Sequence, residues 1–169
     1  TYLTGRLGST AQRQKLVKDA FTDYLNRLPD PNGLTYWSNQ LKTIKLPDFH
    51  ARLLGSDEVY RAAGSTNSGY VTRLYELVHG RSVDSGGLAY WTKQVDQGLD
   101  RGRLAKMLLT SHESAQRTVR SSYDHLLGRA PDPSGLAHWT SVLEHGADQR
   151  DLWKSIMLSS EYDRQAQTS

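Results

Sequence analysis

Cysteine is absent from all 169 residues. That excludes disulfide staples, thiol nucleophiles and cysteine-ligated zinc. Long apolar runs are missing too. No stretch approaches the roughly 18–20 residues of a membrane span, so no membrane partner is expected. Charge of one sign is barely in excess: 21 basic residues stand against 18 acidic, a net +3, which gives only a weak field. The 14 Arg and 7 Lys are interleaved with acids, and the longest basic cluster is Arg101-Gly102-Arg103. Solvated helix faces explain them, and no nucleic acid is expected as a partner. The opening, TYLTGRLGST, has no initiator Met and no apolar stretch of the signal-peptide kind; it reads as the start of a segment excised from a longer polypeptide.

Catalytic signatures are equally scarce. There is no Gly-x-Ser-x-Gly elbow, no His-Glu-x-x-His, no phosphate loop and no Gly-x-Gly-x-x-Gly. The histidines at 50, 79, 112, 125, 138 and 145 show no metal-ligand spacing. Asp30-Pro31-Asn32-Gly33 faintly resembles a calcium loop. However, Leu28, Arg81 and Arg129 stand at or beside the places where acidic ligands are needed. The expectation is no enzyme, no cofactor and no metal.

What the chain does have is internal repetition. The segments YLNRLPDPNGLTYW, LVHGRSVDSGGLAYW and LLGRAPDPSGLAHW align Arg27, Arg81 and Arg129. They also align Asp30, Asp84 and Asp132, then the Gly, Leu and Trp that end at Trp37, Trp91 and Trp139. A second block aligns Ser56, Ser111 and Ser159, with Glu58, Glu113 and Glu161 two residues on. We therefore expect one domain, 1–169, of three units at approximately 10–62, 68–116 and 117–166.

Every unit reads as helical. Ser9 or Thr10 can cap a helix running to about Asn26, with Leu16, Ala20 and Tyr24 on one face. Asn26, Gly80 and Gly128 tolerate the left-handed conformation that ends a helix. Leu34–Trp37–Leu41 and its two counterparts make amphipathic stripes. Pro47, Asp100 and Asp148 suit the start of a third helix, and the Ser residues cap a fourth with Glu in its first turn. AGSTNSG (63–69) separates the first two units, whereas residues 111–128 hold no breaker and should form one bridging helix. Nothing alternates with period two. The expected fold is all-α: three stacked helical repeats of about fifty residues in one compact array.

The three Trp are read as core anchors, each removing about 150–250 Å² from water, and the three Asp as helix caps. The motif Arg could pair with that Asp or with the Ser-x-Glu carboxylate. Trp153 lies outside the repeated set and reads as local packing. Sugar binding is the functional reading of the same region. Tyr36, Tyr90 and His138 precede each Trp, about 100° round the helix from the buried stripe. Gln40 and Gln94 lie one turn on, while Val142 takes that place in the third unit. An aromatic beside an amide and an Asp can stack on a sugar ring and bond its hydroxyls. The candidate ligand-binding set is Asp30, Tyr36, Gln40, Asp84, Tyr90, Gln94, Asp132 and His138.

On these motifs the chain resembles a bacterial repeat family, domain of unknown function 4214, with the pattern Gly-Arg-x-Pro-Asp-x-x-Gly-Leu-x-Tyr-Trp followed by Ser-x-Glu-Tyr. LLGRAPDPSGLAHW with SSEY is nearly complete. The family pattern also has Tyr-x-x-Leu-x just before that Gly; the second unit has Val83 for the Pro and lacks the final Tyr, and the first has Phe21 for this leading Tyr and Asn26 for the Gly. A looser similarity links the Gly-Arg and Ser-x-Glu-Tyr elements to phycobilisome linker domains. The resemblance implies an accessory module of a secreted or cell-surface bacterial protein, and it carries no catalytic residues over. The expected function is a non-catalytic carbohydrate-binding module that targets a parent protein to a polysaccharide or cell-wall glycan, beside other domains of the same polypeptide. The alternative is a structural or assembly module of a surface-layer-like or adhesin protein with no small ligand.

Overall fold

The computed structural model describes residues 8–168. Residues 1–7, most of the opening read above as the start of an excised segment, lie outside the described residues. The described fold is all-α, and eleven helices are described. They are α1 (Thr10–Leu25), α2 (Pro31–Gln40), α3 (Leu46–Leu54), α4 (Asp57–Ala62), α5 (Asn67–His79), α6 (Ser85–Asp96), α7 (Arg101–Leu109), α8 (His112–Leu127), α9 (Pro133–Glu144), α10 (Gln149–Met157) and α11 (Ser160–Thr168).

The helix boundaries follow from local chemistry. Asn26, Gly80 and Gly128 end α1, α5 and α8 at φ 53°, 65° and 64°, the left-handed region. Ser9, Ser56 and Ser111 cap α1, α4 and α8 through their hydroxyls. The expected bridging helix is α8, unbroken from His112 to Leu127. In the first unit the corresponding path is interrupted by Gly64 and Ser65, at φ 98° and 59°, and Thr66 caps the new helix α5.

Helix α3 contributes to two of the three core clusters. Six of its nine residues are buried: Leu46, Pro47, Phe49, Ala51, Leu53 and Leu54. Only Arg52 is exposed, with Asp48 and His50 half-buried, so the apolar face of α3 spans more than half its circumference and is covered from several sides. Leu46, Phe49 and Leu53 join the cluster built with Leu16, Val17, Ala20 and Phe21 of α1. Ala51 and Leu54 join a second cluster with Tyr70, Val71 and Leu74 of α5 and Leu104 and Leu108 of α7. A third cluster sits between α8, α9 and α10, around Val119, Tyr123, Leu143, Leu152 and Ile156. Trp153 packs against both the first cluster and the third, so it joins two bodies of core rather than filling one locally.

Two contacts bring α3 to its neighbours. At α7 the backbones nearly touch: a Cβ on Gly55 would lie 2.6 Å from Cα and N of Gly102. The Tyr70 hydroxyl, fully buried, sits 3.0 Å from the Leu54 carbonyl and 3.1 Å from that of Arg101. At α10 the contact is ionic. Lys45, which precedes α3, makes no side-chain cap. The Leu46 N–H instead donates to Asp148 Oδ2 at 2.9 Å, and Asp148 Oδ1 accepts from Arg150 N, also at 2.9 Å. One carboxylate thus caps two helices. Arg150 closes the node, donating to Asp148 Oδ2 at 2.7 Å and to the Leu41 and Ile44 carbonyls at 2.9 and 3.0 Å.

Candidate functional site

The repeated motif builds the same object three times. Arg27, Arg81 and Arg129 each donate through two nitrogens to both oxygens of a carboxylate. The pairs are Glu58 (2.9 and 3.1 Å), Glu113 (2.7 and 2.8 Å) and Glu161 (2.5 and 2.7 Å). Each guanidinium also donates to the carbonyl of the following residue, Leu28, Ser82 or Ala130. Each lies 5.2–5.4 Å from the ring centre of Phe21, Tyr75 or Tyr123. Of the two partners open to the Arg, the structure selects the Glu. The Arg81 side chain holds the Glu113 carboxyl below its usual range, and Arg129 does the same for Glu161. This lock ties the turn after one helix to the first turn of another about thirty residues away.

The aspartates are engaged elsewhere. Asp30, Asp84 and Asp132 cap α2, α6 and α9 by accepting from Gly33, Gly87 and Gly135 N at 2.6, 2.7 and 3.2 Å. Ser134 also donates to Asp132 at 2.5 Å; that bond, with the Gly135 N–H, holds the carboxyl below its ordinary value. Tyr36 and Tyr90 are more than half exposed, at 53% and 56%, and His138 is exposed. Each ring stands edge-on to the following Trp at 5.0, 4.9 and 5.1 Å. Gln40 and Gln94 are half-buried. Tyr36 and Gln40 share a helix face, but Asp30 lies six residues before Tyr36, roughly 240° round the axis and about 9 Å along it. The aspartates and the aromatics therefore do not converge on one point. The three Trp are half-buried rather than fully enclosed, with Trp91 Nε1 donating to the Tyr75 hydroxyl at 2.9 Å.

A large concavity lies elsewhere. A cleft of about 920 Å³ opens between α1 and α8, reached also by α3 and α10, and none of the eight candidate residues lines it. His50 and Tyr24 line it together, His50 Nδ1 lying 3.3 Å from the Tyr24 hydroxyl. Burial pushes His50 down to about 4, only partly offset by the Asp148 charge, so the ring is neutral at pH 7. Burial, and then the Asp23 charge, push the Tyr24 phenol up. Trp153 is also on the lining, its Nε1 donating to Ser122 Oγ at 2.9 Å.

A family model described as a domain of unknown function, DUF4214, matches residues 51–118 and again 114–166. The chain belongs to this family. No curated protein and no solved structure matches it. The two DUF4214 matches meet within α8, the helix that serves both the second lock and the third. They take in Arg81–Glu113 and Arg129–Glu161 whole, and Glu58 of the first pair. Among the described residues of this DUF4214 chain, no group of three or more His, Asp or Glu could hold a metal ion. No described helix is long and apolar enough to cross a membrane. The sequence reading passed over His50 and Arg150 and gave Trp153 only local packing, because each lacks a repeat counterpart of the same type: Trp153 aligns with Ala105, and Arg150 with Gly102.

Proposed function

We propose that the chain is a non-catalytic structural module. It would assemble or space a surface-layer-like or adhesin protein of a bacterium, secreted or held at the cell surface, with other domains of the same polypeptide as its partners. In this reading three units of about fifty residues pack around α3, and the repeated motif is their scaffold. One observation carries it: the charged groups of the motif are bonded to other groups of the chain at all three copies, Arg to Glu and Asp to a helix N-terminus. A ligand site built from these groups would have to break those bonds to use them.

A second reading rests on the exposed rings of Tyr36, Tyr90 and His138, each held edge-on by a Trp. Three such platforms, with Gln40 and Gln94 nearby, would suit avid binding to one polysaccharide. Two measurements separate the readings. The scaffold reading expects the combined Arg27→Ala, Arg81→Ala, Arg129→Ala variant to lose thermal stability. It also expects any glycan-array signal to survive Tyr36→Ala, Tyr90→Ala and His138→Ala together. A midpoint unmoved by the first variant, or glycan binding abolished by the second, overturns it.

A further inference from the structure

The charged side chains of the repeated motif are engaged within the protein, whereas the cleft between α1 and α8 carries polar side chains that are not. Asp23 from α1, Ser121 and His125 from α8, and Gln149 from α10 all line it. None of their side chains bonds to another described residue. Asp23, Ser121 and His125 are exposed and Gln149 is half-buried, so donors and acceptors on three different helices face one concavity and are free to bond a ligand there in exchange for water.

The rings on the lining complete the chemistry. The Trp153 indole N–H is taken by Ser122, and the Tyr24 hydroxyl by His50. With their polar ends occupied, these side chains have only ring surface to offer a ligand. The lining charges cancel, Asp19 and Asp23 against Lys15 and Arg117, and Lys15 already pairs with Asp19 at 2.6 Å. A cleft that is neutral overall has no excess field for a phosphate, an acidic peptide or a polyamine. Aromatic surface ringed by amide, hydroxyl, imidazole and carboxylate groups instead matches a molecule with apolar C–H faces and many hydroxyls.

From this arrangement we infer that the α1–α8 cleft is a binding site for a neutral sugar, separate from the exposed rings of α2, α6 and α9. Asp23, Ser121, His125 and Gln149 would hold the hydroxyls, and Tyr24 and Trp153 would face the ring. A volume of about 920 Å³ lies at the upper end of the roughly 300–1,000 Å³ of small-molecule sites, large enough for an oligosaccharide of a few units.

The test is two-dimensional ¹H–¹⁵N NMR of the whole chain, titrated in turn with hexasaccharides of glucose and of N-acetylglucosamine. With at least one of them, the Trp153 indole cross-peak and the amides of Ser121 and His125 should shift saturably. Asp23→Ala combined with Gln149→Ala should weaken that binding about tenfold, as loss of two hydrogen bonds predicts. Tyr36→Ala with Tyr90→Ala should leave it unchanged. These substitutions sit on the cleft wall or on exposed helix faces, and a Ser121→Trp variant that fills the cleft provides an independent block. The inference is overturned if neither hexasaccharide shifts the Trp153 peak at millimolar concentration. It is overturned equally if shifts cluster at Trp37, Trp91 and Trp139, or if spermidine or a galacturonate oligomer binds the cleft more tightly than either neutral sugar.

Discussion

Asp148→Ala should be among the most damaging single substitutions in the chain. The carboxylate is 8% exposed and holds the N-terminus of α3, the N-terminus of α10 and the Arg150 guanidinium together. Its removal strands the Leu46 N–H and leaves a guanidinium, 19% exposed, without a counter-charge. Deleting one partner of a buried pair costs about 3–5 kcal/mol, and a lost cap about 1 kcal/mol. Arg150 keeps the carbonyls of Leu41 and Ile44, which places the expected total at the lower end, about 3 kcal/mol. For a chain of this length that is a fall of about 6–12 °C in Tm. Asp100→Ala is the internal standard. Asp100 holds the same repeat position and caps α7 through Arg103 N at 2.9 Å, but it is exposed and touches no second helix N-terminus. It should cost only about 1 kcal/mol. Urea unfolding followed by circular dichroism measures both. Burial would raise the Asp148 carboxyl, but the bonds from Arg150 and from the Leu46 N–H outweigh it and hold it below its ordinary value. The stabilisation is thus full above the unfolded value of about 3.9 and is lost as pH falls through the lower folded one. The Asp148→Ala penalty should accordingly be constant near neutrality and shrink below about pH 4. If Asp148→Ala costs no more than Asp100→Ala at pH 7, the double cap is not what joins α10 to α3.

Three further outcomes are expected. His50 is neutral in the fold with a value of about 4, against about 6.5 unfolded, so protonation favours the unfolded chain; stability should fall by about 1.4 kcal/mol per pH unit between those values, and His50→Gln should remove that part of the slope in pH-dependent urea titrations. Gly55→Ala should destabilise by about 1–3 kcal/mol, because its Cβ meets the Gly102 backbone at 2.6 Å; Gly102→Ala, whose nearest contact is an Asp100 oxygen at 3.2 Å, should cost clearly less in the same thermal scan. Thr140 buries a hydroxyl that finds no hydrogen-bond partner among the described residues, so Thr140→Val should be neutral or stabilising by up to about 1 kcal/mol in calorimetry, and a loss above that would mean the hydroxyl is bonded in solution.

Much of the local structure was written in short-range chemistry. The left-handed endings at Asn26, Gly80 and Gly128, the Asp and Ser caps, and the unbroken α8 each depend on a few adjacent residues. The partner of the motif Arg was not legible, since Asp and Glu are both in reach until the path of the turn is known. The burial of the Trp was read too strongly: a stripe sets which face turns inward, not how completely a neighbour covers it. Tyr36, Tyr90 and His138 do lie at the margin of that stripe, but their offset from Asp30, Asp84 and Asp132 keeps the two sets apart.

Repetition also conceals what matters most for the whole, because its residues do the same thing three times while interfaces between units need residues that differ. The position after the first residue of the third helix shows this. It is Pro47 in α3, Gly102 in α7 and Arg150 in α10. The Gly102 backbone is what Gly55, just after α3, meets at close contact, whereas Arg150 reaches across to the carbonyls of Leu41 and Ile44. The unmatched Trp153 and His50 likewise sit where α1, α3, α8 and α10 come together around the cleft. A search for equivalent residues therefore finds the scaffold and passes over the junctions. Where a motif recurs along a chain, the departures from its pattern are where a site drawn from several helices has to be sought.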